Sequence, residues 1–338
     1  MTAQTLNEKT AGIRAFFGSG ERQNDPDHSG LKALYRKELA DHLNSKRFYL
    51  IFALLFLTAT ASLVGAVSNL SGAVSESSEF IFLKLFTTGG SSIYSFATFV
   101  AFLGPLAGIT LGFDAVNNER SQGTLNRLAA QPIYRDSIIN AKFLAGASVI
   151  GMIVLTLGLY ISGMGLLLIG IPPSVEEVLR ITAFLLLAWV YICVWLALSV
   201  IFSVVCRHAA TAALACISIW LFLSLFMSLV ASGIAGMVYP LDGIEGFANM
   251  MSNYELNLAL NRVSPYYMFS EAASTILNPN VRSIGVVTMA SYDRAVASSL
   301  PFGESMLLIW PHLVVMAALA MAGFAAAYVS FMRQEIRA

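Results

Sequence analysis

The chain has 338 residues, 57% of them hydrophobic and 12% charged, with no net charge at pH 7 and a mean hydropathy of +0.71. A water-soluble domain carries about twice that share of charge, so a soluble enzyme or binding protein is excluded. Three cysteines, Cys193, Cys206 and Cys216, lie within or at the ends of apolar runs; their odd number and placement exclude a disulfide framework and a zinc site.

The first 30 residues are polar and turn-rich and read as a disordered cytoplasmic tail, without the pattern of a cleaved signal. Leu31–Arg47 follows, with Leu31, Leu34, Tyr35, Leu39 and Leu43 on one helical stripe and Lys32, Arg36, Lys37 and Lys46 off it. That pattern predicts an interfacial elbow helix with its cations near anionic lipid heads. Six charge-free runs come next, at Phe48–Val67, Ile93–Phe113, Phe143–Ile169, Ile181–Val205, Ala209–Ala235 and Met306–Phe331. Each reaches the roughly 20 apolar residues needed to cross a bilayer, and none alternates as a barrel strand does. The fold class is therefore all-α, a polytopic integral membrane protein of six transmembrane helices.

Gly104, Gly108 and Gly112 repeat every fourth residue in the second run beside Pro105, a ridge that lets two helix backbones approach closely. The turn Gly170–Arg180 carries Glu176, Glu177 and Arg180. Membrane-embedded prenyl-type proteases use a Glu-Glu-x-x-x-Arg motif, but here the spacing is shorter and paired histidines are missing. A helix N-terminus with acids in its first turn is the better reading. The region 236–305 is too apolar for a disordered loop. Ser264-Pro265 should open a short helix there, and the region should dip into the outer leaflet or form a lid. His312, near the start of the sixth run, is expected at a solvated edge.

With the N-terminus inside, fifteen of the 20 basic residues fall on the inner side, and only Lys84, Arg180, Arg262, Arg282 and Arg294 on the outer. Both termini are therefore expected in the cytoplasm, with the protein in the cell membrane. No metalloprotease, hydrolase-elbow or phosphate-loop motif occurs, so the chain is not expected to be an enzyme and holds no cofactor or metal of its own. The spans contain no Asp, Glu, Lys or Arg, which argues against an ion-coupled carrier. Any active transport must draw its energy from elsewhere.

One polar insertion stands out on the inner side, Asp114–Lys142. Its string Glu119-Arg120…Gly123-Thr124…Pro132…Arg135…Lys142, with the elbow sequence LYRKELADHLNSKRF around Arg36, Lys37 and Glu38, resembles the ABC-2 type permeases. Within them it is most similar to the group linked to nitrous oxide reductase maturation, sodium export and gliding motility. Ser264–Phe269 is similar more weakly. The resemblance covers most of the chain from Leu31 onward, so that 31–338 forms one transmembrane domain.

The resemblance implies that 114–142 is a coupling segment seated in a separate ATPase subunit. Glu119 would contact that subunit, Gly123-Thr124 would set the turn, Pro132 would break the helix, and Arg135 and Lys142 would anchor the return helix at the phosphate layer. Here Asn117, Asn118, Arg120 and Gln122 stand where relatives often carry further acids. The resemblance also implies two ATPase copies carrying ATP and Mg, a second permease half (the same chain or a related one), membrane lipid as surroundings and no nucleic-acid partner. The cargo expected of uncharged spans is amphipathic, lipidic or peptide-like. The alternative is a membrane anchor or sensor that recruits an ATPase without transport.

Overall fold

A computed structural model of the chain describes residues 26–73, 80–89, 94–124, 134–170, 172–242, 245–279 and 300–334, and every regular element among them is helical. Six helices are long and apolar enough to span a membrane. The chain begins with α1 (Pro26–Leu43), α2 (Lys46–Ala73), the short α3 (Ile81–Thr87), α4 (Phe96–Gly112) and the short α5 (Asn117–Ser121). It continues with α6 (Arg135–Ile169) and α7 (Val175–Val205). The fifth span is α8 (Ala209–Leu221) and α9 (Met227–Val238), joined by a π-helical turn, Phe222–Phe226. Last come α10 (Glu245–Asn261), α11 (Pro265–Leu277) and α12 (Phe302–Arg333).

The N-terminal helix starts at Pro26, inside the stretch expected to be a tail; proline's fixed φ suits a first helical turn. It stops at Leu43, and Ser45 then caps α2, its Oγ accepting from Phe48 N at 3.1 Å. The elbow bend thus falls at Asn44-Ser45. The leucine stripe meets protein where lipid was expected. Leu34 is buried and Tyr35 Oη donates to Ser148 Oγ of α6 at 2.9 Å. The physical reason is length: the 35 residues of α6 extend about 52 Å against roughly 30 Å of hydrocarbon. Its excess gives α1 a partner.

At the centre stands α7, in contact with α4, α6, α8, α11 and α12. It opens with a reciprocal cap in which Ser174 Oγ accepts from Glu177 N and Glu177 Oε2 accepts from Ser174 N. The α4 glycine ridge lies flat against it. A Cβ on Gly108 would stand 2.6 Å from the Ile192 carbonyl oxygen, and one on Gly112 would stand 3.1 Å from that of Leu196. Only glycine allows this approach. Arg180, fully buried in α7, bonds Glu176, the Ile276 carbonyl and Ser305 Oγ. The Glu-Glu-Arg group is thus an architectural tie.

Within 236–305 the described residues form short helices, as expected for that region. Residues 236–238 complete the fifth span. The chain then turns back, and α10 runs down beside α9, zipped by asparagines at every fourth position. Asn249 Nδ2 donates to Pro240 O at 3.1 Å, Asn253 Nδ2 to Tyr239 O at 2.8 Å and Asn257 Nδ2 to Ser232 Oγ at 3.2 Å. At the tip, Ser264 Oγ donates to Leu223 O at 2.7 Å. Leu223 lies near the middle of Ala209–Val238, about 20 Å from either end. The return helix α11 is buried against α7, where Phe269 stacks on Tyr191 with ring centroids 4.4 Å apart. These two helices form a re-entrant hairpin reaching the membrane's mid-depth. Residues 280–299, with Arg282 and Arg294, lie outside the described residues.

Candidate functional site

At the end of the bundle that carries α1, the chain leaves α4 and makes a polar junction. Val116 N and Asn117 N both donate to Ser203 Oγ at the end of α7, at 2.9 and 3.3 Å. One turn of helix follows, α5. Gly123 then takes φ +67°, a left-handed conformation in which glycine alone is unstrained, and Thr124 Oγ1 donates back to Glu119 O at 3.2 Å. Residues 125–133, including Pro132, lie outside the described residues. The chain is described again from Tyr134, and α6 begins at Arg135.

Three elements converge on Lys142. Its Nζ lies 3.1 Å from Glu38 Oε2 of α1 and 2.8 Å from Glu119 Oε1 of α5, with the lysine side chain 4% exposed. Lys37 Nζ adds 3.3 Å to Glu38 Oε1 and 4.0 Å to Glu119 Oε1. Burial alone would push the Glu38 carboxyl up, but the ammonium groups of Lys142 and Lys37 outweigh it and hold it below the usual carboxylate range. For Lys37 burial works the other way, and Glu38, Glu119 and Asp41 together raise it. Burial depresses His42 close by. Beside these groups opens a cavity of about 390 Å³ lined among others by Asp41, His42, Arg47 and Asp114. Arg47 pairs with Asp114 and lies over the Phe113 ring at 5.1 Å.

A second knot gathers the C-terminal side. Gln334, just past α12, receives Arg120 on its Oε1 and Arg135 Nη2 on its carbonyl at 2.8 Å. Its Nε2 donates to Val204 O at 2.7 Å. Arg135 also lies over the Phe331 ring at 5.8 Å.

Three expectations change here. Lys142, expected to anchor the return helix at the phosphate layer, is covered by α1 and held by two carboxylates. Arg135 is turned to Gln334 and Phe331. Glu119 faces inward on Lys142, and among the described residues of 114–124 the exposed ones are Asn118, Ser121, Gln122 and Gly123, which are uncharged. Of the elbow residues, Arg36 is exposed, Lys37 half-exposed and Glu38 buried. The signal available in the sequence was the position of Glu38, one turn after Leu34 on the leucine face of the helix, where a buried carboxylate needs a cation.

The re-entrant hairpin forms a further polar cluster. Arg262 Nε and Nη2 donate to Glu271 Oε2 and Oε1 at 3.0 and 2.8 Å, and His312 Nε2 lies 2.8 Å from Glu271 Oε2. The long spans are free of charge in their apolar stretches, yet this hairpin carries an ion pair into the membrane's depth. His312 is 7% exposed and bonded there, not at a solvated edge.

Six apolar helices, a central packed helix and a polar junction at one end define a multi-pass membrane protein. Residues 32–336 match the model of the ABC-2 family transporter proteins, and the chain belongs to that family. It is 28% identical over 201 residues to the "Probable ABC transporter permease protein NosY" of Pseudomonas aeruginosa, covering 57% of this chain and 66% of that protein. A protein of the same name from Stutzerimonas stutzeri is 31% identical over 120 residues, 36% of this chain and 40% of that one. The chain thus aligns with less than two thirds of either relative's length. It is a multi-pass membrane protein of the ABC-2 transporter family.

Proposed function

We propose that the chain is the permease half of an ATP-driven exporter in the cell membrane, its α1 end cytoplasmic and its cargo amphipathic, lipidic or peptide-like. Two ATPase subunits, carrying ATP and Mg, dock on 114–142, and a second permease half, the same chain or a related one, completes the path. The single observation that carries this reading is the Glu38–Lys142–Glu119 cluster. It joins the elbow, the docking segment and the third span, so displacement of α5 by an ATPase moves α1 and α6 with it.

Docking falls on the neutral face formed by Asn118, Ser121, Gln122 and Gly123, with Glu119 passing the motion inward. Val116 and Asn117, bonded to Ser203, carry the same motion to α7. From there it reaches α4 along the glycine ridge and the re-entrant hairpin along α11. Charge plays its part behind the docking surface, where it is shielded from salt.

The test is to replace Ser121 and Gln122 together by Trp and capture the cell's ABC ATPase on the tagged membrane protein. The recovered ATPase should fall at least tenfold while the melting temperature of the chain stays within a degree or two. Undiminished capture would remove this face as the docking site.

A further inference from the structure

At the hairpin tip a charged side chain lies level with the middle of the fifth span and is partly uncovered. Arg262 sits five residues past Asn257, the last zipper asparagine, and its side chain is 34% exposed. The asparagine stripe faces α9, so Arg262 and Met251, eleven residues apart and on one helical face, are turned away from it. A guanidinium at that depth faces a bundle interior or a watery cavity, not acyl chains. The Arg262 face of the hairpin therefore borders a polar path.

The geometry of the guanidinium says what it can hold. Its side edge, Nε and Nη2, is committed to the two oxygens of Glu271. Its end edge, with Nη1, makes no hydrogen bond among the described residues. Two parallel N–H groups on that edge match one oxygen pair of a phosphate or carboxylate. Tyr267 lies one turn before Glu271 on α11 and Tyr254 about two turns before Arg262 on α10, and neither hydroxyl has a partner among the described residues. Tyr254 is 46% exposed. Glu271 is itself held from behind by His312, so it fixes the arginine and leaves the donors pointing outward. Val263 beside the arginine and Met251 on the same face of α10 are exposed and offer an apolar bed for a chain attached to the anion.

We propose that Arg262, Tyr254 and Tyr267 form an intramembrane site for an anionic head group, phosphate or carboxylate, on an amphipathic molecule. Glu271 and His312 position the arginine and do not touch the ligand. Naming that molecule as cargo rests on the exporter reading; the anion site itself does not.

The experiment is equilibrium binding of radiolabelled dodecyl phosphate to the full-length chain in neutral maltoside micelles. Unlabelled laurate, dodecyltrimethylammonium and inorganic phosphate serve as competitors. Dodecyl phosphate should bind saturably, laurate should compete, and the ammonium amphiphile should compete at least tenfold less well. Competition by inorganic phosphate at similar concentration assigns the site to free anions; its failure assigns the site to lipid-like ones. Arg262→Gln alone could unsettle the hairpin by orphaning Glu271. The double variant Arg262→Gln/Glu271→Gln keeps a neutral hydrogen-bonded pair and should lose binding at least tenfold, while Tyr267→Phe should lose about threefold. Equal binding by wild type and double variant, or equal competition by the ammonium, would overturn the proposal. Because no ATPase is present, failure here leaves the exporter reading standing, and failure of the docking test leaves the anion site standing.

Discussion

The junction around Lys142 and the clasp around Glu271 are built from the same parts in opposite order. In the first a buried cation lies between two carboxylates; in the second a carboxylate lies between an arginine and a histidine. The first joins three elements far apart in sequence, α1, α5 and α6, and its lysine is almost wholly covered. The second joins neighbouring arms of one hairpin to α12, and its arginine is partly open. Closed and multi-element, the junction suits the passage of force. Open and local, the clasp suits contact with a molecule.

The junction breaks hardest at its centre. Lys142→Met leaves Glu38 and Glu119 with only the half-exposed Lys37 beside them, and breaking a buried pair in this way costs up to about 3–5 kcal/mol, which should appear as a large drop in melting temperature or in folded yield. Neutralising all three together, Glu38→Gln/Lys142→Met/Glu119→Gln, should recover most of that loss. If the single variant melts like wild type, the cluster holds nothing together.

The rod between the two regions is the next target. A Val at position 108 would drive its Cβ into the Ile192 carbonyl, and overpacking of this kind typically destabilises by about 1–3 kcal/mol. Cysteine cross-linking yield between α4 and α7 should fall with it. An unchanged yield would mean that the ridge does not set the spacing.

On the hairpin side effects should be smaller, since each zipper bond is worth only about 0.6 kcal/mol on average inside a membrane. Asn257→Leu should therefore loosen α10 measurably by hydrogen exchange while leaving global melting nearly in place. A loss as large as that from Lys142→Met would erase the contrast between the regions.

Mild acid gives the finest separation. His42 has a folded pKa below the ordinary 6.5 because it is buried, so the unfolded chain takes up a proton first. Its contribution is complete above pH 6.5 and fades as the pH falls from there through the folded value. Glu38, held below 4.5, keeps its contribution down to about that pH and loses it as the pH falls through its folded value. Hydrogen exchange in α1 should rise in two stages, the first starting below pH 6.5. A single stage confined to the region below 4.5 would remove His42 from the account.

Much of this was legible in the sequence. Six apolar runs gave six membrane-length helices, because a helix crossing lipid must satisfy its own backbone. Gly104, Gly108 and Gly112 pointed to a close helix contact without naming α7 as its partner. The partners of buried charges could not be read, since Glu38 and Lys142 lie 104 residues apart and hydropathy is blind to pairing. Nor could the depth of Arg262 and Glu271. Their helices are too polar and short to register as spans, and only the asparagine zipper and the Ser264–Leu223 bond carry them inward. The four-residue repeat of Asn249, Asn253, Asn257 and Asn261 was the available clue, because such a stripe needs a polar groove to meet. Glu119 was assigned by resemblance to a partner's surface, whereas its nearest cation was already in the chain.

The most direct test of the account is the ATPase rate of the reconstituted complex carrying Glu38→Gln/Lys142→Met/Glu119→Gln. If the cluster transmits motion from the docking segment, the ATPase should bind in wild-type amount while its turnover stops responding to lipid and cargo and transport falls at least tenfold. Wild-type transport and wild-type stimulation in that variant would contradict the account.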